Sequence, residues 1–397
     1  MNDRAPIARR KRAPTPPRRL PIPAGGAIRF GPKLYLAQTQ PGLEGIAWSE
    51  IAARLGEHGG ARELARRTVA DRAGLTIFHA ERIDPLGAMR CAEDLLALVA
   101  YRRFAPASAE SPRAGATLER VRAVVRDARF IEDALEARAR IAPGSRAGRK
   151  MRFRVVTRMT GEHEFRRLDL KRMVETAIGE RGDHSWRAVE EDADAEFWAT
   201  MLPDEFILAL RLSDDRMRHR DYKAAHLPGS LRPSVAAAMA WLSHPADDDV
   251  MLDPFCGAGT ILIERAHLGR YARLIGGDRD EAALAAAREN IGPRHQPLEL
   301  HHWDAAALPL GRAAVNKVVT NLPWGRRHGT HEENLRLYPR AIAELRRVAA
   351  PGAPLVILTG EIRLMADLMR RERIRPERIM RVSILGAPAA IHVFRNV

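Results

Sequence analysis

The chain has 397 residues, 46% of them hydrophobic and 29% charged, which suits a globular protein of two domains or slightly more. No run approaches the roughly 18 uninterrupted apolar residues of a membrane helix, and the first residues carry no apolar signal-peptide region, so a cytoplasmic protein is expected. Cys91 and Cys256 are the only cysteines, which excludes a disulfide framework and a multi-cysteine zinc site. Lys and Arg number 65 against 50 Asp and Glu; the formal charge of +15 attracts a polyanion, plausibly nucleic acid, unless it is a habit of an arginine-rich genome.

Residues 1–28 are proline-broken and strongly basic, with no periodic apolar face to bury, and read as a disordered tail that is either an RNA-touching arm or inert. From Lys33 to about Ser213 strand-like and helix-like patterns mix. KLYLA (33–37), LTIFHA (75–80), MRFRVV (151–156) and FILALRL (206–212) read as strands. LEGIAWSEIAARL (43–55), one long segment 118–141 and DLKRMVETAIG (169–179) read as helices. Residues 107–114 and 143–150 read as internal loops. This half is α+β.

A basic stretch from Arg216, broken by Pro228, Gly229 and Pro233, leads into the helix SVAAAMAWLSH, and a second domain begins there. From Val250 strands and helices alternate strictly: VMLD, a helix through His267, LIGGD, a helix over 280–290, LELHHW, NKVVT, a helix over 333–348, PLVIL, a helix over 361–371, RVSIL and IHVFR. Such alternation predicts a mainly parallel seven-stranded sheet covered by helices on both faces. Only Gly386 to Ala390 join the last two strands, too few for a parallel crossover, so the final strand should run antiparallel.

Three strand ends in this domain carry a glycine turn or an acid. DPFCGAGT (Asp253–Thr260) lies where a buried strand meets a helix, the position at which doubly wound sheets bind ligands. Gly257 and Gly259 let the backbone turn tightly and lie against a flat nucleoside. The pyrophosphate fingerprint of nicotinamide-binding folds is absent, since Leu262 stands where its third glycine belongs. Asp278, ending LIGGD roughly 20 residues on, is a natural acceptor for ribose hydroxyls. Asp280 is more simply a helix cap. Asp304 either accepts from an adenine amine in the same crevice or caps a loop.

TNLPWG (Thr320–Gly325) follows the fourth strand. Methylating a planar conjugated amine requires drawing its hydrogens out of resonance and holding nitrogen in line with the methyl donor. Asn321 and the carbonyl of Leu322 supply two convergent acceptors, Pro323 stiffens the turn, and Trp324 offers a face to an extruded base. Alone, the motif reads as an Asn-x-Pro turn; its place after the other motifs argues otherwise. Cys256 invites a nucleophile reading, but the base-facing loop has no cysteine, so a small buried filler is expected. The histidines form no helical metal-ligand pair, and no metal is implied.

DPFCGAGT, GGDRD, WDA and NLPWG, in this order, resemble a class I Rossmann-like methyltransferase. NLPWG together with PGSLRPSVAAAM resembles the THUMP-domain RNA guanine-N2 methyltransferases, and the resemblance extends weakly into TQPGLEGIAWSEI, EFRRLDLKRMVETAI and FILALRLSDD. It implies an S-adenosylmethionine-dependent domain over 226–397 behind a ferredoxin-like and THUMP RNA-gripping region over 29–215. It implies a cofactor wall of Asp253, Phe255, Cys256, Gly257, Gly259, Arg279, Ala305 and Asn321, with Asp278 on ribose and Asp304 on adenine. Ser230 and Leu231, with Arg232, close the methionine end, unless they are simply a helix-entry turn. Asn321, Leu322, Pro323 and Trp324 clamp the target amine, the N2 of a guanosine in tRNA. Trp324 departs from the family's more frequent Tyr or Phe. Ribosomal RNA is the first alternative substrate; DNA adenine, a protein amide, or binding of RNA without catalysis rank lower.

Overall fold

The computed structural model describes residues 28–56, 60–69, 72–104, 114–143, 150–182, 185–325 and 330–397. The basic tail, apart from residue 28, and most of the two expected internal loops lie outside the described residues.

The N-terminal half contains β1 (Leu34–Thr39), α1 (Glu44–Leu55), β2 (Arg62–Val69), β3 (Ala73–His79), β4 (Asp94–Arg103), α2 (Ala114–Arg126), α3 (Ile131–Ile141), β5 (Met151–Met159), α4 (Arg167–Arg181), β6 (Trp186–Ala188), β7 (Ala195–Met201) and β8 (Glu205–Arg211). These strands form one sheet in the order β2-β3-β1-β4-β8-β7-β5-β6. It is antiparallel except where β5 runs parallel to β6 and β7. The four expected strands are all present, but β2, β4, β6 and β7 join them. β2 is arginine-rich (RELARRTV) and partly exposed, so it lacks the apolar run that announces a strand. The expected helix over 118–141 is two helices. α2 packs on α4, whereas α3 packs under β4 and β8, and the break at 127–130 redirects the chain between them. At the break Phe130 meets Phe30 edge-on, 5.4 Å between centroids.

The C-terminal half follows the expected alternation: α5 (Pro233–Leu242), β9 (Val250–Asp253), α6 (Thr260–Ala266), β10 (Arg273–Asp278), α7 (Glu281–Ile291), β11 (Leu298–His302), β12 (Lys317–Asn321), α8 (His331–Val348), β13 (Pro354–Thr359), α9 (Ile362–Arg371), β14 (Pro376–Ile384) and β15 (Ala387–Arg395). The sheet order is β11-β10-β9-β12-β13-β15-β14. The first five strands in that order are parallel, and β15 runs antiparallel between β13 and β14. Short apolar strands such as VMLD and PLVILT, buried on both faces, are what a helix-covered parallel sheet requires. The chain leaves β9 toward β10 and β11, then returns to β12 on the other side. That reversal opens a crevice at the carboxyl ends of β9 and β12.

The two sheets share buried ground. Leu43, Ile46 and Cys91 from the first half lie in the same apolar cluster as Val235, Met239 and Leu262 from the second. Fully buried Glu264 of α6 binds Arg90 (Nη2 to Oε1, 3.0 Å) and accepts from Tyr222 Oη at 2.7 Å. Pro41 carbonyl accepts from Ser383 N on β14 at 3.0 Å. No helix among the described residues is long and apolar enough to cross a membrane, and none of their His, Cys, Asp and Glu side chains form a group that could hold a metal ion.

Candidate active site at the crevice between β9 and β12

Asp253 ends β9 and is fully buried. Its Oδ1 accepts from Thr320 Oγ1 at 2.7 Å and from Phe255 N at 3.3 Å. Its Oδ2 is buried without a hydrogen-bond partner. Burial disfavours the charged form and raises the Asp253 pKa to about 7, against the pull of the Thr320 and Phe255 bonds and with a further push from Asp278. An unsatisfied buried acceptor at the mouth of a crevice is costly unless a ligand supplies a donor or a positive charge.

The loop after Asp253 is pinned by its backbone. Cys256 N donates to the Gly277 carbonyl at 2.9 Å, and Gly257 N donates to Asp278 Oδ2 at 2.9 Å. Gly257 has φ +51°, and a Cβ there would meet nothing within 4 Å, so this stretch of backbone faces open space. Gly259, at φ +77°, forms the left-handed entry to α6, where a side chain would press on Ile291 and Ala287. Cys256 is buried, and burial pushes its thiol well above the ordinary range, which suits a filler rather than a nucleophile.

Asp278 ends β10. Its Oδ1 accepts from Asp280 N at 3.0 Å, so its carboxylate ties the glycine loop to the start of α7. Each of its oxygens retains lone-pair capacity for a further donor. Asp280 caps α7 through Ala282 N. Trp303 N donates to the Asp278 carbonyl at 3.0 Å, which brings the β11 end alongside. Asp304 is exposed and closes a local turn on Ala306 N at 2.9 Å; Ala305 beside it is buried and Arg279 is exposed.

Asn321 ends β12, one residue after the Thr320 that binds Asp253. Its Oδ1 accepts from Trp324 Nε1 at 2.9 Å. Leu322 N donates to the Leu358 carbonyl on β13. The Pro323 carbonyl points down into the fold, where it accepts from Asn334 Nδ2 at 3.0 Å and Tyr338 Oη at 2.6 Å. Tyr338 is buried, and burial raises its pKa, so it stays a neutral donor. Under Trp324 lies Gly360, where a Cβ would come within 2.8 Å of the indole ring carbons.

Ser230 and Leu231 lie before α5. The Ser230 hydroxyl is buried without a hydrogen-bond partner, and Leu231 carbonyl accepts from Lys223 Nζ at 3.0 Å. Arg232, beside them, donates to Glu93 Oε1 in the first half at 3.1 Å. The segment reaches the crevice through Asn290, whose side chain bonds both Ala225 and the Ala258 carbonyl in the glycine loop.

Hydrogen bonds thus join Asp253, Cys256, Gly257, Asp278 and Thr320 into one wall, with Asn321, Leu322, Pro323 and Trp324 forming the adjoining lip. Thr320 lies in the TNLPWG motif without a role that the sequence announces, and Asn290, Asn334, Tyr338 and Gly360 have no signal there, although Asn334 and Tyr338 stand four residues apart and so share a helix face.

The profile of a protein family described as RMKL-like, methyltransferase domain matches residues 220–388. The chain is 32% identical over 222 residues to the mouse tRNA (guanine(6)-N(2))-methyltransferase THUMP3, covering 52% of this chain and 43% of that one. It is 32% identical over 213 residues to the Thermus thermophilus tRNA (guanine(6)-N2)-methyltransferase, covering 52% and 62%. The chain spans about half the length of the first curated relatives it matches. The crystal structure of TrmN from Thermus thermophilus superposes with a TM-score of 0.72 at 24% identity, covering 92% of this chain and 99% of that one, which establishes a shared fold across both halves.

Proposed function

We propose, from the premise that residues 220–388 form an RMKL-like methyltransferase domain, that the chain methylates the exocyclic N2 amine of a guanosine in tRNA with S-adenosylmethionine as donor. One observation carries the proposal: the Thr320–Asp253 bond fastens the amine-facing loop to the wall of the crevice, so donor and acceptor sites adjoin.

The residues present fit the cofactor. Asp253 Oδ2 lacks a donor, the Gly257 backbone faces open space, and Asp278 keeps capacity for ribose hydroxyls. Asp304 takes the adenine amine, and Phe255, Cys256, Gly259, Arg279 and Ala305 complete the wall. The buried Ser230 hydroxyl, with Leu231, serves the methionine end. S-adenosylmethionine supplies an electrophilic sulfonium methyl when bound. Asn321 Oδ1 and the Leu322 carbonyl accept the two amine hydrogens and direct the nitrogen lone pair along the line of transfer. Pro323 holds that carbonyl in place, and Trp324, backed by Gly360, receives the extruded base. The surplus proton leaves to solvent.

The first half, over 29–215, is read as a ferredoxin-like and THUMP region that grips the RNA, with catalysis over 226–397. The names of the relatives support tRNA over ribosomal RNA, and the formal charge of +15 supports a polyanion. The test is incubation with labelled S-adenosylmethionine and separated tRNA and ribosomal RNA, followed by digestion to nucleosides. Label in N2-methylguanosine from tRNA is expected. Label in ribosomal RNA, DNA or protein, or none anywhere, overturns the assignment.

A further inference from the structure

Beside the Asn321–Gly325 loop, on the side of the last hairpin, lies a cavity of about 840 Å³. Gly360 lines one end, directly under the Trp324 ring. Arg381 of β14 lines the other, and its carbonyl abuts Gly42 of the first half, where a Cβ would stand 2.1 Å from that oxygen. The cavity therefore adjoins the Asn321–Gly325 loop through Gly360 and the first half through Arg381.

Its charges are unevenly matched. Glu361 is paired with His331 Nδ1 at 3.1 Å, and Asp367 with Arg370. Arg363 and Arg381 are exposed and, among the described residues, neither has a carboxylate within ion-pairing distance. Both acids of the groove thus have a hydrogen-bonding or ion-pairing partner, and neither arginine has a carboxylate. Leu335, half-exposed, together with Leu364 and Pro388 supplies apolar surface to the same cavity.

We infer that this groove seats the single-stranded RNA flanking the target base, with two backbone phosphates on Arg363 and Arg381 and base faces against Leu335, Leu364 and Pro388. The inference rests on the proposed function above. Because Gly360 both lines the cavity and packs against Trp324, the segment of substrate next to a base held at Trp324 is the one that reaches the cavity. A base at the Asn321 loop has left its stack, so its neighbours are unpaired and free to lie on apolar surface. Guanidinium groups suit phosphate because their planar donors match its oxygens.

The test is the double variant Arg363→Ala/Arg381→Ala against the charge-matched control Arg371→Ala/Arg375→Ala, whose exposed arginines do not line the groove. With tRNA as substrate, KM should rise about tenfold in the groove variant, with kcat within about twofold, as expected when uniform binding is lost. With a single-stranded oligoribonucleotide as probe, the slope of log affinity against log salt should flatten by about 1.4, the contribution of two released phosphates. Arg363→Lys/Arg381→Lys should recover most of both, and cofactor affinity should not change in any variant. A groove variant with wild-type KM and slope, or a control that shifts as far, overturns the inference. Failure of the wild-type protein to label any RNA would instead overturn the proposed function, while the oligoribonucleotide slope would still decide whether the groove binds RNA.

Discussion

The loop 254–259 is fixed through its backbone, with Gly257 N on Asp278 and Cys256 N on Gly277, whereas the loop 322–325 is fixed by Asn334 and Tyr338 reaching up from α8 and by its own tryptophan. The first leaves Asp253 Oδ2 unpartnered and open space before Gly257. The second already has a donor on Asn321 Oδ1. On the proposed assignment, a ligand on the cofactor side enters a cradle that is formed and vacates no internal bond, whereas an amine beside Asn321 competes with the Trp324 indole. The two sides of one crevice should respond differently to substitution, and that contrast can be broken at five residues.

The largest expected effect is at Asn321. If its carboxamide oxygen draws the amine hydrogens out of resonance only as transfer proceeds, Asn321→Ala should lower kcat on the order of 10²–10³-fold, the range found when one preorganised polar partner of a transition state is removed. Calorimetry should show cofactor affinity within about twofold of wild type, since the hydrogen bond seen for the Asn321 side chain runs to Trp324 and not to the 254–259 loop. A variant that keeps its kcat would remove Asn321 from the amine clamp.

Asp278→Ala probes the other side. Loss of a charge-assisted hydrogen bond costs about 1.5–3 kcal/mol, so cofactor affinity should fall on the order of tenfold to a hundredfold. Because Asp278 also holds Gly257 N, the variant loosens the cradle, and kcat at saturating cofactor should fall far less than in Asn321→Ala. Unchanged affinity in a folded variant would contradict the ribose assignment.

What was legible in the sequence divides along the same line. The cradle could be read because its parts are local: Asp253, Gly257, Gly259 and Asp278 each sit at a strand end marked by an apolar run and a glycine, and strict alternation ordered those strands. The supports of the Asn321 loop could not. Asn334, Tyr338 and Gly360 act from α8 and from the end of β13, more than ten residues away, and no spacing links them to TNLPWG. Arg232 makes the same point: nothing in its local spacing announces Glu93, to which the packing of the two halves draws its side chain. In the first half, β2 and β6 escaped because polar, short or partly exposed strands carry little of the apolar signal that marks a buried one.

Asp253 sharpens the comparison through pH. Burial raises its pKa from 3.8 to about 7, so below that pH it is neutral in the ligand-free protein. Fold stability from this group is full below pH 4 and is lost as pH rises through 7, since ionising it in place is unfavourable. A cationic ligand nearby reverses the preference and lowers the pKa, so binding releases a proton. Cofactor affinity should therefore tighten as pH rises from 5.5 to 7, by at most about tenfold per pH unit, and level off above. Asp253→Asn should flatten both the affinity profile and the stability profile. An affinity that is level from pH 5.5 to 8 in the wild-type protein would mean that the sulfonium and ammonium charges do not approach Asp253.

The smallest effect belongs to Trp324→Phe. The phenyl ring can still lie on Gly360, which accepts a flat ring because it has no Cβ, but it has no N–H to offer Asn321. The wild-type amine must displace a hydrogen bond whose net worth is about 1 kcal/mol, so removing the competitor should lower KM for RNA by two- to fivefold. The same bond holds the Asn321 carboxamide in its orientation, and its loss should lower kcat by a comparable factor, leaving kcat/KM near wild type. Tyr338→Phe, which releases the Pro323 carbonyl without freeing Asn321, should lower kcat with no gain in KM. If Trp324→Phe raises KM instead, stacking on the larger ring outweighs competition for Asn321, and the lip would be as ready for its ligand as the cradle beside it.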